Sequence, residues 1–132
     1  MQEITVETGK NKEVVDITDD INKFLGGQKL QNGLCHLFTV HTTCALACAD
    51  LDPGTDLDMI DAFDKLIPKL KFRHGHDPSH TPDHINSSLV GTSIALPFEG
   101  KKLILGTWQR VVLIEFNGPR ERQIIISTVA TS

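Results

Sequence analysis

The chain has 132 residues, 39% apolar, 23% charged and 5% aromatic, the proportions of one globular domain spanning residues 1–132. Lys and Arg total 13 against 17 Asp and Glu, a formal charge of −4, which excludes a broad basic footprint for nucleic acid. No apolar run approaches the roughly 20 residues that cross a bilayer, so no membrane association is expected. Gln2-Glu3-Ile4-Thr5 has neither the basic start nor the apolar stretch of a signal peptide, so the expected location is cytoplasmic.

Ile4–Glu7 and Glu13–Ile17 read as two short strands joined in a hairpin by Gly9-Lys10-Asn11-Lys12. A helix capped by Thr18 or Asp19 should follow, with Ile21, Phe24 and Leu25 on one face and Gly26-Gly27 supplying a left-handed end. Most of Gly33–Cys48 reads as one buried strand, with Thr39, His41 and Thr43 on one face and His36, Phe38 and Val40 on the other. Asp56–Leu66 carries Met59, Ile60, Phe63 and Leu66 at helical spacing, and Pro68 marks its end.

Arg73–His84 lacks apolar periodicity and reads as a loop holding four of the six histidines. Thr81-Pro82 suits a helix start, and the helix should run to Leu89–Gly91 with Ile85 and Leu89 as its buried stripe. Thr92–Phe98, a long strand over Leu103–Phe116, an Asn117-Gly118 hairpin and Gln123–Val129 complete the chain. Val111–Ile114 is apolar on both faces, so a second layer or a neighbouring subunit must cover it. The order of elements is α+β: a two-layer sandwich of largely antiparallel sheet with two or three helices.

His74, His76, His80 and His84 lie within eleven residues beside Asp77 and Asp83, a ligand set suited to zinc and other divalent ions, or else a solvated loop. His41 on its strand needs a hydrogen-bonding partner or a ligand role, and His36 reads equally well as a core histidine. Thr107, Gln109 and Glu115 share a strand face that can line a pocket, whereas Trp108 alone reads as core. Arg120 at its turn suits a phosphate, and Ser87 and Ser88 read as hydrogen-bonding groups for backbone or ligand. Cys35, Cys44 and Cys48 match no metal or disulfide spacing and read as small hydrophobes. No P-loop, GxGxxG, HExxH or GxSxG pattern occurs.

Taken together, His41-Thr42-Thr43, Arg73-His74, Pro82 through Gly91, Gly106-Thr107-Trp108-Gln109, Glu115-Phe116 and Gly118-Pro119-Arg120 resemble the YjbQ family, described as secondary thiamine-phosphate synthases. The resemblance implies a homotrimer with a histidine-lined pocket near subunit contacts. It also implies a transferase joining a pyrimidine diphosphate to a thiazole phosphate with release of pyrophosphate, assisted by a divalent ion, zinc or magnesium. On that reading His41, His74 and His84 hold the ion, Asp50 or Asp77 completes its shell, and His41, Asp50 and His84 are catalytic. Thr43, Ser88, Thr107, Gln109 and Arg120 then bind the phosphorylated metabolite. The chain departs from the family pattern in a shortened Ala49-Asp50-Leu51-Asp52-Pro53 stretch and in Gly75-His76-Asp77-Pro78-Ser79-His80, where acids are usual. The alternatives are a non-enzymatic trimer binding a metal or phosphometabolite, and a metal-dependent phosphohydrolase using metal-bound water.

Overall fold

The computed structural model describes residues 1–131. In chain order its elements are β1 (Gln2–Glu7), β2 (Glu13–Asp16), α1 (Thr18–Gly26), β3 (Gly33–Thr39), β4 (Cys44–Ala49), α2 (Thr55–Leu66), a single 3-10 turn (Pro78–His80), α3 (Thr81–Val90), β5 (Ser93–Glu99), β6 (Lys102–Leu103), β7 (Arg110–Glu115) and β8 (Glu121–Ala130). The architecture is α+β. A five-stranded sheet in the order β1-β8-β3-β5-β6 faces a three-stranded sheet in the order β2-β7-β4. Every strand pair is antiparallel.

The inner faces follow from the period of two along each strand. Cys35 and Leu37 of β3 and Ile124 and Ile126 of β8 turn inward to meet Leu46 of β4 and Val111 and Leu113 of β7, with Ile21 and Leu25 of α1 closing the same core. The other side of β7 presents Val112 and Ile114, which join Ala45 and Phe116 under Met59 and Phe63 of α2 and Val90 of α3. Within the same chain, the five-stranded sheet therefore covers one face of Val111–Ile114 and helices α2 and α3 cover the other. Each such buried aliphatic side chain contributes about 1.5–3 kcal/mol.

Three connections cross from one sheet to the other at the same end of the molecule. They are residues 8–12 between β1 and β2, 40–43 between β3 and β4, and 117–120 between β7 and β8. Backbone bonds stitch them together: Thr8 N–H donates to Arg120 O at 2.9 Å and Gly118 N–H to Asn11 O at 2.8 Å. Phe116 N–H donates to Thr43 O at 3.1 Å. Gly118 is required by this close approach, since a Cβ there would lie 2.4 Å from Lys10 O.

These crossings correct several expectations. Gly9–Lys12 and Asn117-Gly118 do not close hairpins, because β1 pairs with β8 and β2 with β7. Gly33–Cys48 is two strands in different sheets rather than one, and Leu103–Phe116 is interrupted by a loop over residues 104–109. Neither Thr18 nor Asp19 caps α1: the Asp16 carboxylate accepts Thr18 N–H at 3.0 Å, and the Thr18 hydroxyl instead receives Val111 N–H at 2.8 Å. Gly27 ends α1 in a right-handed conformation. Residues Pro78–His80 of the expected loop form a 3-10 turn, and α3 begins at Thr81. His36 is exposed, on the outer face of β3, and Trp108 is 72% exposed rather than core.

Candidate functional site

Two of the crossings, the loop before α3 and the start of α3 line an open cavity of about 770 Å³. His41, Thr42 and Thr43 reach it from the first turn of the β3–β4 crossing, His74, His76 and His80 from the loop before α3, and Arg120 and Arg122 from the end of the β7–β8 crossing. His84 enters from α3, the helix whose buried side is polar: Asp83, Asn86 and Ser87 face inward, while Leu89 is 62% exposed, contrary to the stripe expected from the sequence. Two anchors set that unusual rotation. Ser87 Oγ donates to Cys44 O at 2.6 Å, and Lys12 Nζ bridges Asp83 Oδ1 at 2.5 Å and Phe116 O at 2.6 Å.

His74 and His84 stack with ring centroids 4.9 Å apart and their Nε2 atoms separated by 3.2 Å. That separation matches an N–H···N contact, and also two nitrogens on one tetrahedral zinc, roughly 3.3 Å apart for Zn–N bonds of about 2.0–2.1 Å. The remaining nitrogens decide between the two. His74 Nδ1 accepts the backbone N–H groups of His76 at 3.2 Å and Asp77 at 3.1 Å, so in the neutral ring the proton sits on Nε2. His84 Nδ1 lies 3.1 Å from the Thr42 carbonyl, an acceptor only, so its proton sits on Nδ1 and its Nε2 accepts from His74. A metal-ligating histidine uses its far nitrogen as a donor, as His84 does and His74 does not.

His41 is committed elsewhere. Its Nε2 lies 3.0 Å from the Gln123 backbone N–H and 2.9 Å from Gln123 Oε1, so either tautomer finds a partner in Gln123. Burial and then the nearby Arg122 guanidinium hold its pKa below the ordinary histidine value, against the raising effects of Gln123 and Glu115, so the ring is neutral at pH 7. The expected triad of His41, His74 and His84 thus lines one cavity, but its nitrogens do not converge as a ligand set. Among the described residues no group of three or more His, Cys, Asp or Glu side chains has metal-holding geometry. As folded, these donors do not fit one shared ion.

Beneath the histidines lies a group that sequence reasoning missed. Arg122 is 2% exposed and Glu115 is fully enclosed. Arg122 Nε donates to Glu115 Oε1 at 2.9 Å and Nη2 to Glu115 Oε2, while Nη2 also donates to Thr43 Oγ1 at 2.8 Å. Thr8 Oγ1 donates to Glu115 Oε1 at 2.7 Å. Burial alone raises the Glu115 pKa, but the Arg122 and Thr8 hydrogen bonds more than offset it and leave the carboxyl below its ordinary range. The available signal was a carboxylate ending an apolar strand, which demands a cation, and Arg122 just past the turn supplies it.

The remaining expected residues lie elsewhere. Ser88 lines a neighbouring cavity of about 580 Å³ with Phe38, Thr39, Val40 and Ser87, sharing His41, Thr42 and His84 with the first. Asp50 and Thr107 line a separate depression with Asp16, Asp52, Trp108 and Arg110, and Gln109 Oε1 accepts Gly106 N–H at 2.8 Å within its own loop. Asp77 accepts from Ser79 N and Oγ at the base of the 3-10 turn. Cys35 and Cys44 are buried, and burial pushes the Cys35 thiol up to about 11. Among the described residues no helix is long and apolar enough to cross a membrane.

A mixed antiparallel fold of this kind has counterparts among known proteins. The profile of the family described as UPF0047 protein YjbQ-like matches residues 2–131. A UPF0047 protein of Archaeoglobus fulgidus is 36% identical over 128 residues, covering 96% of this chain and 99% of that one. The YugU protein of Bacillus subtilis is 33% identical over 127 residues, covering 96% of each. A YjbQ/UPF0047-family crystal structure from Clostridium acetobutylicum superposes with a TM-score of 0.87 at 30% identity over 98% of this chain and all (100%) of that one. A YjbQ-like protein of unknown function from Sulfolobus solfataricus gives 0.88 at 29% identity over 96% of this chain and 94% of that one. The chain belongs to the YjbQ (UPF0047) family.

Proposed function

We propose that this protein is a transferase of the secondary thiamine-phosphate synthase type, joining a pyrimidine diphosphate to a thiazole phosphate. In that reaction the thiazole nitrogen bonds to the pyrimidine methylene carbon as the carbon–oxygen bond to the diphosphate breaks, and the electron pair leaves with pyrophosphate. No side-chain nucleophile is needed. What is needed is a set of donors for charge developing on the departing oxygens. The observation that carries the reading is the cavity's lining: five histidines and two arginines against one carboxylate, Glu121, and no thiol.

The divalent ion, magnesium on this reading, enters as part of the substrate, bound to its diphosphate. His41 engages Gln123 through Nε2, which leaves Nδ1 for a contact with the substrate. Arg120 spends Nε on Asn117 O at 2.7 Å and keeps the rest of its fork for a phosphate oxygen pair. The His74–His84 pair ties the loop to α3 at the edge of the cavity. In the cytoplasmic homotrimer of this reading, the exposed Leu34, Phe38 and Val129 of the larger sheet and Val40 just beyond β3 would supply apolar contact surface. In that assembly Asp50, Thr107 and Gln109 act from a neighbouring chain.

Purified protein given both precursors and magnesium should form thiamine phosphate and pyrophosphate. His84→Ala should lower turnover about 100-fold or more, on the scale of misplacing groups that position the reactants. Full activity in that variant, or no product from the parent protein, overturns the assignment.

A further inference from the structure

We infer that Arg122 is the anion-binding floor of the cavity, a guanidinium fixed from below so that one edge is presented to a phosphoryl group. Its Nε and Nη2 are consumed by Glu115 and Thr43. Nη1 makes no hydrogen bond to any described residue, yet it is not among the side-chain atoms shut away from solvent without a partner. Because Arg122 lines the cavity, that edge is the one turned to it. A side chain 98% removed from solvent, by the 2% exposure that remains, thus keeps two N–H donors aimed at open space.

The way the guanidinium is held argues against a merely structural role. A buried ion pair is commonly no more stable than apolar residues of the same volume, so stability alone gives weak reason for one between two hydrophobic sheets. Glu115 grips the Nε/Nη2 side of the fork and Thr43 holds Nη2, which fixes the plane and leaves Nη1 unencumbered. Arg120, two residues earlier on the same strand entry, brings a second fork to the rim of the same cavity. His41 lines that cavity too, its pKa held down by burial and then by the nearby Arg122 guanidinium. A fixed fork below, a second fork above and an imidazole at the side suit a tetrahedral oxyanion with several acceptor oxygens, the terminal phosphoryl of a small metabolite. Planar carboxylates satisfy fewer of these donors.

The inference rests on the proposed function only in taking the ligand to be phosphorylated. Its test needs no turnover: inorganic pyrophosphate is titrated into the parent protein and binding is followed by calorimetry and by NMR. The Arg122 Nε–H and Thr43 amide signals should shift and saturate with the calorimetric Kd, and acetate should bind at least tenfold more weakly. Arg122→Lys should weaken pyrophosphate binding tenfold or more. Glu115→Gln, which keeps only one of the two oxygens that fix the fork, should weaken it severalfold. Shifts confined to Arg120 and surface lysines, equal affinity for acetate, or unchanged affinity in a folded Arg122→Lys protein overturns the inference. If Arg122→Lys does not fold, the parent-protein shifts and Glu115→Gln decide it. Arg122-dependent binding without thiamine phosphate formation removes the transferase reading and leaves this one standing. Product formation with Arg122-independent binding does the reverse.

Discussion

The two ends of β7 carry ion pairs of opposite character. At its start Arg110, part-exposed, donates to Asp16 Oδ2 at 2.7 Å and Asp19 Oδ1 at 3.3 Å, on the rim of the shallow depression that holds Trp108 and Asp50. At its end Glu115 holds Arg122 with both partners almost wholly removed from water. The first pair is solvated and replaceable, as exposed ion pairs generally are. The second has no water to fall back on, so each partner depends on the other. Burial, more than the presence of opposite charges, separates a latch from a functional floor.

The largest expected effect breaks this contrast from the buried side. Glu115→Ala leaves the Arg122 guanidinium uncompensated between the sheets and should cost about 3–5 kcal/mol in denaturant unfolding. Arg110→Ala at the other end of the same strand should cost about 0–1 kcal/mol. Equal losses would show that the buried pair is hydrated in solution and dissolve the comparison.

Backbone crowding offers a second contrast. Gly118→Ala drives a Cβ against Lys10 O where two crossings touch, with backbone rather than a flexible side chain in the way. It should cost about 1–3 kcal/mol, the usual penalty for overpacking. Gly75→Ala, in the histidine loop with nothing within 4 Å of its Cβ, should leave the unfolding midpoint near that of the parent. Were Gly118→Ala equally silent, the close stitching of the crossings would not exist in solution.

Much of the element content is legible in the sequence, because period-two and period-3.6 patterns report local burial directly. The sheet assignment of each strand is not. Asn117-Gly118 carries a strong hairpin signal, yet β7 and β8 belong to different sheets, since turn chemistry describes four residues and pairing is decided by everything around them. Helix α3 shows the same limit. Its Ile85 and Leu89 suggested the buried stripe, but Asp83 and Ser87 had tertiary partners, Lys12 and Cys44 O, that no local pattern announces. His41, His74, His84 and Arg120 were readable as candidates from residue type and family resemblance. Arg122 was not, because its meaning comes from Glu115 across the crossing. Asp50, Thr107 and Gln109 were grouped with the histidines by motif, and within one chain they lie apart from them.

The smallest expected effect is a pH dependence that distinguishes the two ends once more. Glu115 has a folded pKa below its unfolded value, so its contribution to stability is fully present above the unfolded value and disappears as pH falls through the folded one. Asp16 is likewise lowered: burial raises its pKa, and the Thr18 and Arg110 hydrogen bonds more than offset that. Both carboxylates therefore stabilise neutral and mildly acidic solution and are lost on acidification below their common unfolded range of about 4. Their response to salt should differ. Unfolding titrations from pH 6 to pH 2, run at low and high ionic strength, should show the Arg110 part of the Asp16 contribution fading with salt while the Glu115 contribution persists, because mobile ions screen an exposed pair and cannot reach an enclosed one. Glu115→Gln should flatten the salt-insensitive part of the curve and leave the salt-sensitive part in place. A parent curve that collapses wholly with salt would mean that ions reach Glu115 itself, and that Arg122 is held less firmly than its hydrogen bonds require.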